Sequence, residues 1–421
     1  MYDRPVNDTP PNGRSASLHI DQETPQVVCA VRRGEQPLGW VVIDSSVAGT
    51  SCGGLRLLPD VSESEMRGLA RAMTLKYGLL GLPQGGAKAG VIGNPEASRE
   101  SRRATLAAFA EAIAPMLRQR VFMPHTDMGT DIGDIAFMLE GVGIQLPRRQ
   151  RRRSDSGLYT AMTVFCGVQQ AAAHLGRSAA GASVAVEGFG KVGQPLVSML
   201  SECGAKVVAI STSRGGLYDP RGLDVSRLLA LAKEFGSRVV DLYEGGTSIA
   251  CEELLELEVE ILCPCARHDS IHSENVKSIA AGIVSPGANN PVTPTAEAVL
   301  AERGVLCLPD FVTNSGGVIG GTMEFASVKT PVIRHFIDRH IGARMRWILA
   351  EAERRQTTPR ELATAIALAR SKDVQAGAEH PSLLGRVLAS TLGLYRHGWI
   401  PGRLVAPLSL RYFRSALAKI S

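Results

Sequence analysis

The stretch Ser183-Val-Ala-Val-Glu-Gly-Phe-Gly-Lys-Val-Gly193 decides the fold class of this chain. Its first five residues predict a strand, and its three glycines form a G-x-G-x-x-G at the start of a predicted helix. The first glycine makes a tight turn, the second lets the backbone approach a pyrophosphate, and the third allows close packing of helix on strand. We therefore predict a dinucleotide site, with a turn that binds no ligand as the alternative. The predicted site comprises Gly188, Phe189, Gly190, Lys191, Val192 and Gly193.

A regular alternation of strands and helices surrounds this motif. A helix over 191–203, ended by Gly204, and a strand over 206–210 complete a βαβ unit. The pattern predicts an α/β fold in which residues 157–335 form a Rossmann-type domain with a parallel, doubly wound sheet. Further strands are predicted at 239–240, 261–262, 282–284 and 305–308, and helices at 275–281 and 295–303.

The rest of the chain predicts a second domain. At 421 residues the chain is long enough for two. Residues 14–150 are assigned to this domain. Helices within 340–421 are expected to pack back on it. Residues 1–13 are expected to be disordered. For 376–421 a subunit contact or a membrane-surface helix is the alternative. Within the second domain, strands are predicted at 26–31 and 38–43, and helices at 65–80 and 101–117.

Composition and charge exclude several classes of protein. With 44% hydrophobic residues, 21% charged residues and a net charge of +5, the chain gives no charge-based reason to expect a nucleic-acid partner. The arginine run within 147–153 is interpreted as a solvated interdomain linker rather than as a phosphate or RNA site. The eight cysteines lack disulfide-framework or zinc spacing. Because of this spacing we predict no metal site. Neither a signal peptide nor a membrane span is evident, so we predict a cytoplasmic protein.

The end of the second strand bears on the choice of cofactor. A carboxylate is expected there when the ribose carries a free 2′-hydroxyl, but the chain reads Ile210-Ser-Thr-Ser-Arg214. Thr212 and Arg214 are therefore assigned to the cofactor site, and an arginine suits a 2′-phosphate. This favours NADP over NAD. The alternative is that Arg214 is merely solvated and that the enzyme accepts both cofactors.

A second glycine-rich stretch, Leu82-Pro-Gln-Gly-Gly-Ala-Lys-Ala-Gly90, surrounds Lys88, which follows Lys76 by twelve positions (88 − 76 = 12). Glycines let the backbone approach a ligand, and a lysine held there is partly desolvated. Desolvation lowers the pKa of a lysine toward the range useful for proton transfer. A surface loop with a solvated lysine is the alternative.

Several motifs occur together in one order along the chain. They are Gly53-Gly-Leu-Arg56, Met73-Thr-Leu-Lys76, Pro83-Gln-Gly-Gly-Ala-Lys-Ala-Gly90, Pro124-His-Thr-Asp-Met-Gly-Thr130, Gly188-Phe-Gly-Lys-Val-Gly193, Pro286-Gly-Ala-Asn-Asn-Pro291 and Pro309-Asp-Phe-Val-Thr-Asn-Ser-Gly-Gly317. With these motifs the chain resembles the Glu/Leu/Phe/Val dehydrogenase superfamily, and it is glutamate dehydrogenase-like. The resemblance implies NAD(P)-dependent, reversible oxidative deamination of an L-amino acid to a 2-oxo acid and ammonia, by a homo-oligomer built from dimers, such as a hexamer.

The resemblance also implies roles for single residues. Lys76 matches the lysine that pairs with the substrate α-carboxylate, Lys88 matches the catalytic lysine, and Asp127 matches the acid/base that exchanges protons with the amino group. The resemblance also implies that the domain of residues 14–150 binds substrate and mediates oligomerisation. The resemblance further assigns Thr160, Asn289 and Asn314 to the nicotinamide end of the cofactor, and Ala266 to the cofactor site.

The chain departs from glutamate-specific relatives in the pocket for the substrate side chain. Those relatives place a lysine before the glycines of the first motif and a serine on the helix after the last motif, where this chain has Cys52 and Gly321. A buried γ-carboxylate would then lack its cation, so glutamate is not the expected substrate. His125 replaces the small residue that is usual there; a role toward the substrate and plain packing are both open. The predicted substrate site comprises Lys76, Cys52, Gly53, His125, Val318 and Gly321.

The sequence leaves two alternative functions open and gives no support to a third. An NADP-dependent glutamate dehydrogenase is the first alternative, and a catalytically silent dinucleotide-binding regulatory protein is the second. The presence of Lys76, Lys88 and Asp127 argues against a silent protein. A hydroxy-acid oxidoreductase has no support, since no His/Arg/Asp arrangement for that chemistry is recognisable in the sequence.

Overall fold

The computed structural model describes residues 24–152, 154–379 and 391–418. The prediction of disorder for residues 1–13 lies outside these residues. Two sheets, each associated with helices, make the fold α/β. The described helices are α1 Glu63–Leu80, α2 Arg99–Ala112, α3 Ala114–Arg118, α4 Ile132–Gly141, α5 Ser156–His174, α6 Gly193–Glu202, α7 Val225–Phe235, α8 Val239–Leu242, α9 Cys251–Glu256, α10 Pro294–Glu302, α11 Asp310–Thr313, α12 Gly316–Phe325, α13 Thr330–Phe336, α14 Gly342–Arg355, α15 Pro359–Glu379 and α16 Gly402–Ala418.

The first sheet has five strands in the order β1-β2-β4-β3-β5. The first three neighbours pair antiparallel, whereas β3 runs parallel to both β4 and β5. The carboxyl ends of β3, β4 and β5 therefore lie at the same edge of the sheet, and β5 ends opposite Leu55 of β3, which pairs with Ala89 in the middle of β4. The strands are β1 Val27–Arg33, β2 Gln36–Ile43, β3 Ser51–Leu58, β4 Gly85–Ile92 and β5 Phe122–Thr126.

Helix α1 joins this sheet to the rest of the molecule. Ser62 caps it by accepting a hydrogen bond from the Glu65 backbone N–H at 3.2 Å, and the helix ends at Gly81, whose φ of +65° is left-handed. One face of α1, with Met66 and Leu69, packs against the first sheet. Helix α15 packs on α1 as well, so α1 lies between the sheet and the carboxyl-terminal helices.

The second sheet has seven strands in the order β12-β11-β10-β6-β7-β8-β9. The five strands from β12 to β7 are parallel, and β8 and β9 add an antiparallel edge. The order diverges in both directions from β6, which produces a crevice at the carboxyl end of this strand. The strands are β6 Ser183–Glu187, β7 Lys206–Thr212, β8 Gly215–Tyr218, β9 Thr247–Ile249, β10 Ile261–Pro264, β11 Ile283–Val284 and β12 Leu306–Cys307.

Three predicted elements were wrong. Residues 239–240 were predicted as a strand but begin the short helix α8, because burial of the two valines beneath β8 outweighs their β-propensity. The predicted helix 275–281 is only the 3-10 turn Val276–Ser278, where the Asn275 side chain bonds the Ser270 carbonyl at 2.8 Å and competes with helical bonding. The helix predicted over 101–117 is broken at Ile113, because Pro115 opens the separate helix α3.

The carboxyl-terminal helices divide between the two halves. Helix α14 packs on α5, whereas α15 packs on α1, and α16 touches both α1 and α12. The Arg370 guanidinium ties these elements together, since it donates to the carbonyls of Leu79 and Ala416 at 2.6 and 2.5 Å. The boundaries 14–150, 157–335 and 340–421 are our proposal for dividing the chain. Among the described residues, no helix has both the length and the apolar character needed to cross a membrane.

The arginine-rich segment is not simply the solvated linker that the sequence predicted. The Arg149 guanidinium lies 4.3 Å from the ring centroid of Tyr395 and donates to the Ile400 carbonyl at 3.0 Å. Arg151 pairs with Glu140 at 2.7 Å. The linker thus anchors the segment that precedes α16, because an arginine plane stacks well on an aromatic ring.

Candidate active site

Lys88 and Asp127 form an ion pair beside the first sheet. Lys88 lies on β4 and Asp127 follows β5 directly, with β3 between the two strands. A Cβ on Gly54 of β3 would lie 2.9 Å from the Asp127 Cβ and 3.1 Å from the Lys88 Nζ. Only glycine at this position therefore leaves room for the pair. Gly53 is equally constrained, since its Cβ would lie 1.6 Å from the Ala87 carbonyl oxygen.

Burial and charge shift the pKa values of both partners. Burial is the main cause that lowers the pKa of Lys88, while the Asp127 carboxylate opposes that shift. Burial alone would raise the pKa of Asp127, but Lys88 and Arg56 hold it below its usual value. Asp127 is therefore ionised at neutral pH, next to a lysine that releases its proton more easily than a solvated one.

Lys76 reaches across the cleft between the two halves. It projects from α1, and its Nζ donates to the Asn289 Oδ1 at 2.7 Å. Burial lowers the pKa of Lys76 to about 8, against the opposing effect of Asp310. The Asn314 Nδ2 donates to the same Asn289 oxygen at 3.0 Å. The structure thus brings together a predicted carboxylate-binding lysine and two predicted nicotinamide-end residues.

The glycine-rich turn after β6 is tightly packed at its first and third glycines and open at the second. Gly188 has a left-handed φ of +90°, and its Cβ would lie 2.9 Å from the backbone of Ala266. A Cβ on Gly193 would lie 2.0 Å from the Gly188 carbonyl oxygen, so the helix needs glycine to pack there. By contrast, a Cβ on Gly190 meets nothing within 4 Å among the described residues. That open space is where a phosphate would approach the backbone.

The motif's other residues are held by the neighbouring strand and loops. The Phe189 N–H donates to the Ser211 carbonyl at 2.6 Å, and Phe189 is buried. A Cβ on Gly157 would lie 2.5 Å from the carbonyl oxygen of Lys191, and one on Gly287 would lie 3.2 Å from the side chain of Val192. These contacts fix the course of the turn.

At the other end of the predicted cofactor site, Arg214 follows β7 and pairs with Asp241 at 2.5 Å. Both side chains are well exposed, at 50% and 38%. The Thr212 hydroxyl accepts a hydrogen bond from the Arg214 N–H at 3.2 Å and donates to the Ser237 carbonyl at 3.0 Å. Asp241 is a carboxylate that sequence reasoning missed, because it comes from α8 rather than from the end of β7.

Two features at the nicotinamide end also fit a bound cofactor. The Oδ1 of Asn314 is buried and has no hydrogen-bond partner among the described residues. Such an orphaned acceptor suits an amide N–H donor, for example the carboxamide of a nicotinamide. Thr160 on α5 donates to the Ser156 carbonyl at 2.9 Å, and a Cβ on Gly317 would lie 2.8 Å from its hydroxyl. No cluster of side chains suited to holding a metal ion occurs in the described part of the chain.

The predicted side-chain pocket is built around Cys52 on β3. Burial alone would raise the pKa of the Cys52 thiol, but His125 and the Tyr77 hydroxyl bring it below its usual value. The thiol in turn raises the pKa of His125, which is exposed at the end of β5. Val318 and Gly321 lie three residues apart on α12 and so share one face of that helix. Among the described residues, a Cβ on Gly321 would touch only the Ser154 hydroxyl, at 3.5 Å.

Sequence reasoning missed three charged residues behind the site. Arg56 was quoted within a motif without a role, yet its Nε lies 3.3 Å from the Asp127 Oδ2. Glu65 pairs with Arg56 from α1. Asp310 is fully buried and accepts from Arg360 at 2.8 Å. The only sequence signal for Arg56 was its place in the motif, two positions after Gly54.

Comparison with known proteins identifies the family. Residues 155–376 match the family model for Glutamate/Leucine/Phenylalanine/Valine dehydrogenase. Residues 26–142 match the model for the Glu/Leu/Phe/Val dehydrogenase dimerisation domain. The chain belongs to this family of amino acid dehydrogenases, which are NAD(P)-dependent oxidoreductases acting on CH–NH2 donors. The resemblance found in the sequence is therefore confirmed, as is the assignment to an enzyme class.

Three relatives illustrate the similarity. A glutamate dehydrogenase of Thermotoga maritima is 37% identical over 309 residues, which are 68% of this chain and 72% of the relative. An NAD-specific glutamate dehydrogenase of Staphylococcus aureus is 35% identical over 308 residues, with 68% and 72% covered. The hetero-hexameric glutamate dehydrogenase of Thermus thermophilus, in its Leu-bound form, has a TM-score of 0.69 and 26% identity over 83% of this chain and 89% of that chain.

Proposed function

We propose that this enzyme catalyses the reversible oxidative deamination of an L-amino acid other than glutamate, yielding a 2-oxo acid and ammonia. The observation that carries the proposal is the buried Lys88–Asp127 pair beside Lys76, which itself touches Asn289 of the opposite half. Two lysines and a carboxylate held at one point of a cleft suit a substrate that carries both a carboxylate and an amino group.

Each residue has a distinct task in this proposal. Lys76 binds the α-carboxylate of the substrate, which would replace Asn289 as its partner. Lys88 polarises the carbonyl of the 2-oxo acid and activates water, because burial lowers its pKa. Asp127 stays ionised, attracts the substrate ammonium group and exchanges protons with it. The nicotinamide cofactor supplies the hydride chemistry at the substrate Cα when it is bound.

The preference against glutamate rests on the side-chain pocket. Cys52 offers a thiol and Gly321 offers no side chain, so neither supplies a fixed cation or hydroxyl to a γ-carboxylate. In this proposal the Val318 side chain contributes an apolar surface to the same pocket. The alternative is a glutamate enzyme, which the names of the relatives favour. In that case another cation would have to serve the γ-carboxylate.

The proposed preference for NADP rests on Arg214. Its ion pair with Asp241 is exposed, and such pairs contribute only about 0–1 kcal/mol. A doubly charged 2′-phosphate can therefore compete for the guanidinium. Replacing Arg214 with alanine is expected to lower kcat/KM for NADP at least tenfold more than for NAD, whereas Asp241→Asn raises kcat/KM for NADP. Equal losses with both cofactors in the Arg214 variant would contradict this preference.

We further propose a homo-oligomer in the cytoplasm. The match to a dimerisation domain and the hetero-hexameric relative support assembly from several chains, and we propose that these are copies of one chain. All eight cysteines are free thiols, which suits a reducing compartment. Small molecules, namely an amino acid or 2-oxo acid and ammonia, are the expected partners, without nucleic acid or membrane.

A substrate panel tests the proposed activity. The purified chain is assayed with each L-amino acid and with both cofactors, and the reverse reaction is assayed with and without ammonia. Lys88→Ala should abolish turnover, while the matched control Lys233→Ala, on an exposed part of α7, should not change it. Glutamate as the best substrate would overturn the specificity proposal, and turnover that survives in Lys88→Ala would overturn the role of Lys88.

A further inference from the structure

A surface cavity of about 220 Å³ lies between two helical segments near the carboxyl-terminal end of the chain. One side is formed by α13 and by the π-helical turn Ile337–Ile341 that joins α13 to α14, and the other side is formed by α16. A π-helical turn is rare and is found frequently at functional sites. None of the residues that line this cavity belongs to the predicted substrate or cofactor site.

Three of the lining side chains are apolar, namely Val332, Phe336 and Leu410. The Phe336 side chain is buried, and its ring centroid lies 6.4 Å from that of Phe413 on α16, with the two planes at 68°. Val332 and Phe336 are four positions apart, so they lie on one face of their helix. The cavity thus offers an apolar surface on which the carbon skeleton of a ligand can pack.

The other four lining side chains are basic, namely His335, Arg339, His340 and Arg414. Among the described residues, the guanidinium groups of Arg339 and Arg414 have no hydrogen bond and no ion pair. Asp338 is the only carboxylate within 330–341 and 402–418, and it does not line the cavity. The cavity therefore collects positive charge without a carboxylate in its lining.

His340 records this concentration of charge. Its ring lies against that of Phe336, with 4.3 Å between the centroids. Burial is the main cause that lowers the pKa of His340, and the charges of Arg339, Arg414 and His335 lower it further. A potential that disfavours one more cation favours an anion at the same place.

We propose that this cavity binds a small organic phosphate, with the phosphate group held by Arg339 and Arg414 and the carbon skeleton packed on Phe336 and Leu410. The site is separate from the cleft that contains Lys88. The inference concerns a second ligand of the protein and does not depend on the proposed deamination.

The charge and the size of the cavity decide the class of ligand. Guanidinium groups bind phosphate oxygens through charge-assisted, often paired hydrogen bonds. A phosphate monoester carries about −1.5 to −2 charges at neutral pH, so it compensates both arginines, whereas one carboxylate compensates only one. The volume is below the roughly 300–1,000 Å³ of pockets for drug-sized ligands, so a ligand smaller than a dinucleotide is expected.

The first test titrates the full-length protein with phenyl phosphate in a calorimeter. Reduced cofactor at saturating concentration keeps this probe out of the predicted pyrophosphate site. Arg339→Gln and Arg414→Gln should each raise the Kd at least tenfold, because each removes a charged donor to the phosphate. Both side chains are exposed, so neither substitution should disturb folding.

The matched control is Arg411→Gln, which removes the same charge from an exposed position of α16 outside the cavity. It should keep the Kd within twofold. A rise below tenfold in either cavity variant, or an equal rise in the control, overturns the inference. So does a wild-type protein that fails to bind phenyl phosphate at millimolar concentration.

The second test compares three probes on the wild-type protein. Phenyl phosphate should bind about tenfold more tightly than inorganic phosphate, which lacks the ring, and than benzoate, which has a single negative charge. Leu410→Ala should weaken the binding of phenyl phosphate and leave that of inorganic phosphate unchanged. Equal affinities for phenyl phosphate and inorganic phosphate overturn the role of the apolar surface, and tighter binding of benzoate overturns the assignment to a phosphate.

Discussion

Gly190→Ala separates the fold of the glycine-rich turn from its function. An added Cβ meets no atom of the described residues within 4 Å, and the φ of Gly190 is not in the left-handed region. Alanine therefore fits the folded protein without strain. Because it restricts the unfolded chain, it should leave the free energy of unfolding unchanged or raise it by about 0.4–1 kcal/mol.

The same methyl group would occupy the space in which we place the pyrophosphate. Overpacking of this kind costs about 1–3 kcal/mol, so the Kd of the cofactor should rise about 5- to 150-fold. Gly193→Ala should behave differently, since its Cβ would lie 2.0 Å from the Gly188 carbonyl oxygen. That variant should lose stability as well as cofactor affinity.

The two quantities are measured separately. Urea denaturation of the apo-protein gives the stability, and fluorescence titration with reduced cofactor gives the Kd. Gly141→Ala on α4, where a Cβ also meets nothing within 4 Å, is the control and should leave the Kd unchanged. An unaltered Kd in Gly190→Ala would refute the placement of the pyrophosphate, and a large loss of stability would refute the packing argument.

Two further predictions concern charges. The pKa of Lys76 is about 8, so its ammonium is present below pH 8 and lost above; the KM for the 2-oxo acid should rise as pH passes 8, and Lys76→Arg should remove this rise. A flat KM from pH 7 to 9 would contradict it. Arg360 pairs with the buried Glu297 and Asp310, so Arg360→Met should destabilise the protein by about 3–5 kcal/mol in urea. Arg355→Met, which breaks a more exposed pair, should cost less than about 1 kcal/mol, and equal losses would refute the argument.

Much of the fold could be predicted because its signals are local. The strand, turn and helix around Gly188 follow from β-branched residues, glycine and helical periodicity within twenty positions, and α1 follows from its cap and apolar spacing. The predictions failed at 239–240 and 275–281, where burial and a side-chain hydrogen bond outweigh local preference. The antiparallel edge formed by β8 and β9 was not predicted either, because the pairing of two strands cannot be inferred from the residues of one strand.

Local patterns in the sequence were enough to predict the βαβ unit and its glycines, and the glycine-rich setting of Lys88 pointed to a catalytic lysine, whereas Lys76 and Asp127 were assigned through the family resemblance. Which charges share a buried guanidinium, or meet between the two halves, could be seen only after folding. Arg56 and Asp127 are 71 positions apart, so no local pattern records their contact. The physical reason is that burial and Coulomb interaction depend on distance in space, and only folding brings such residues into one low-dielectric site.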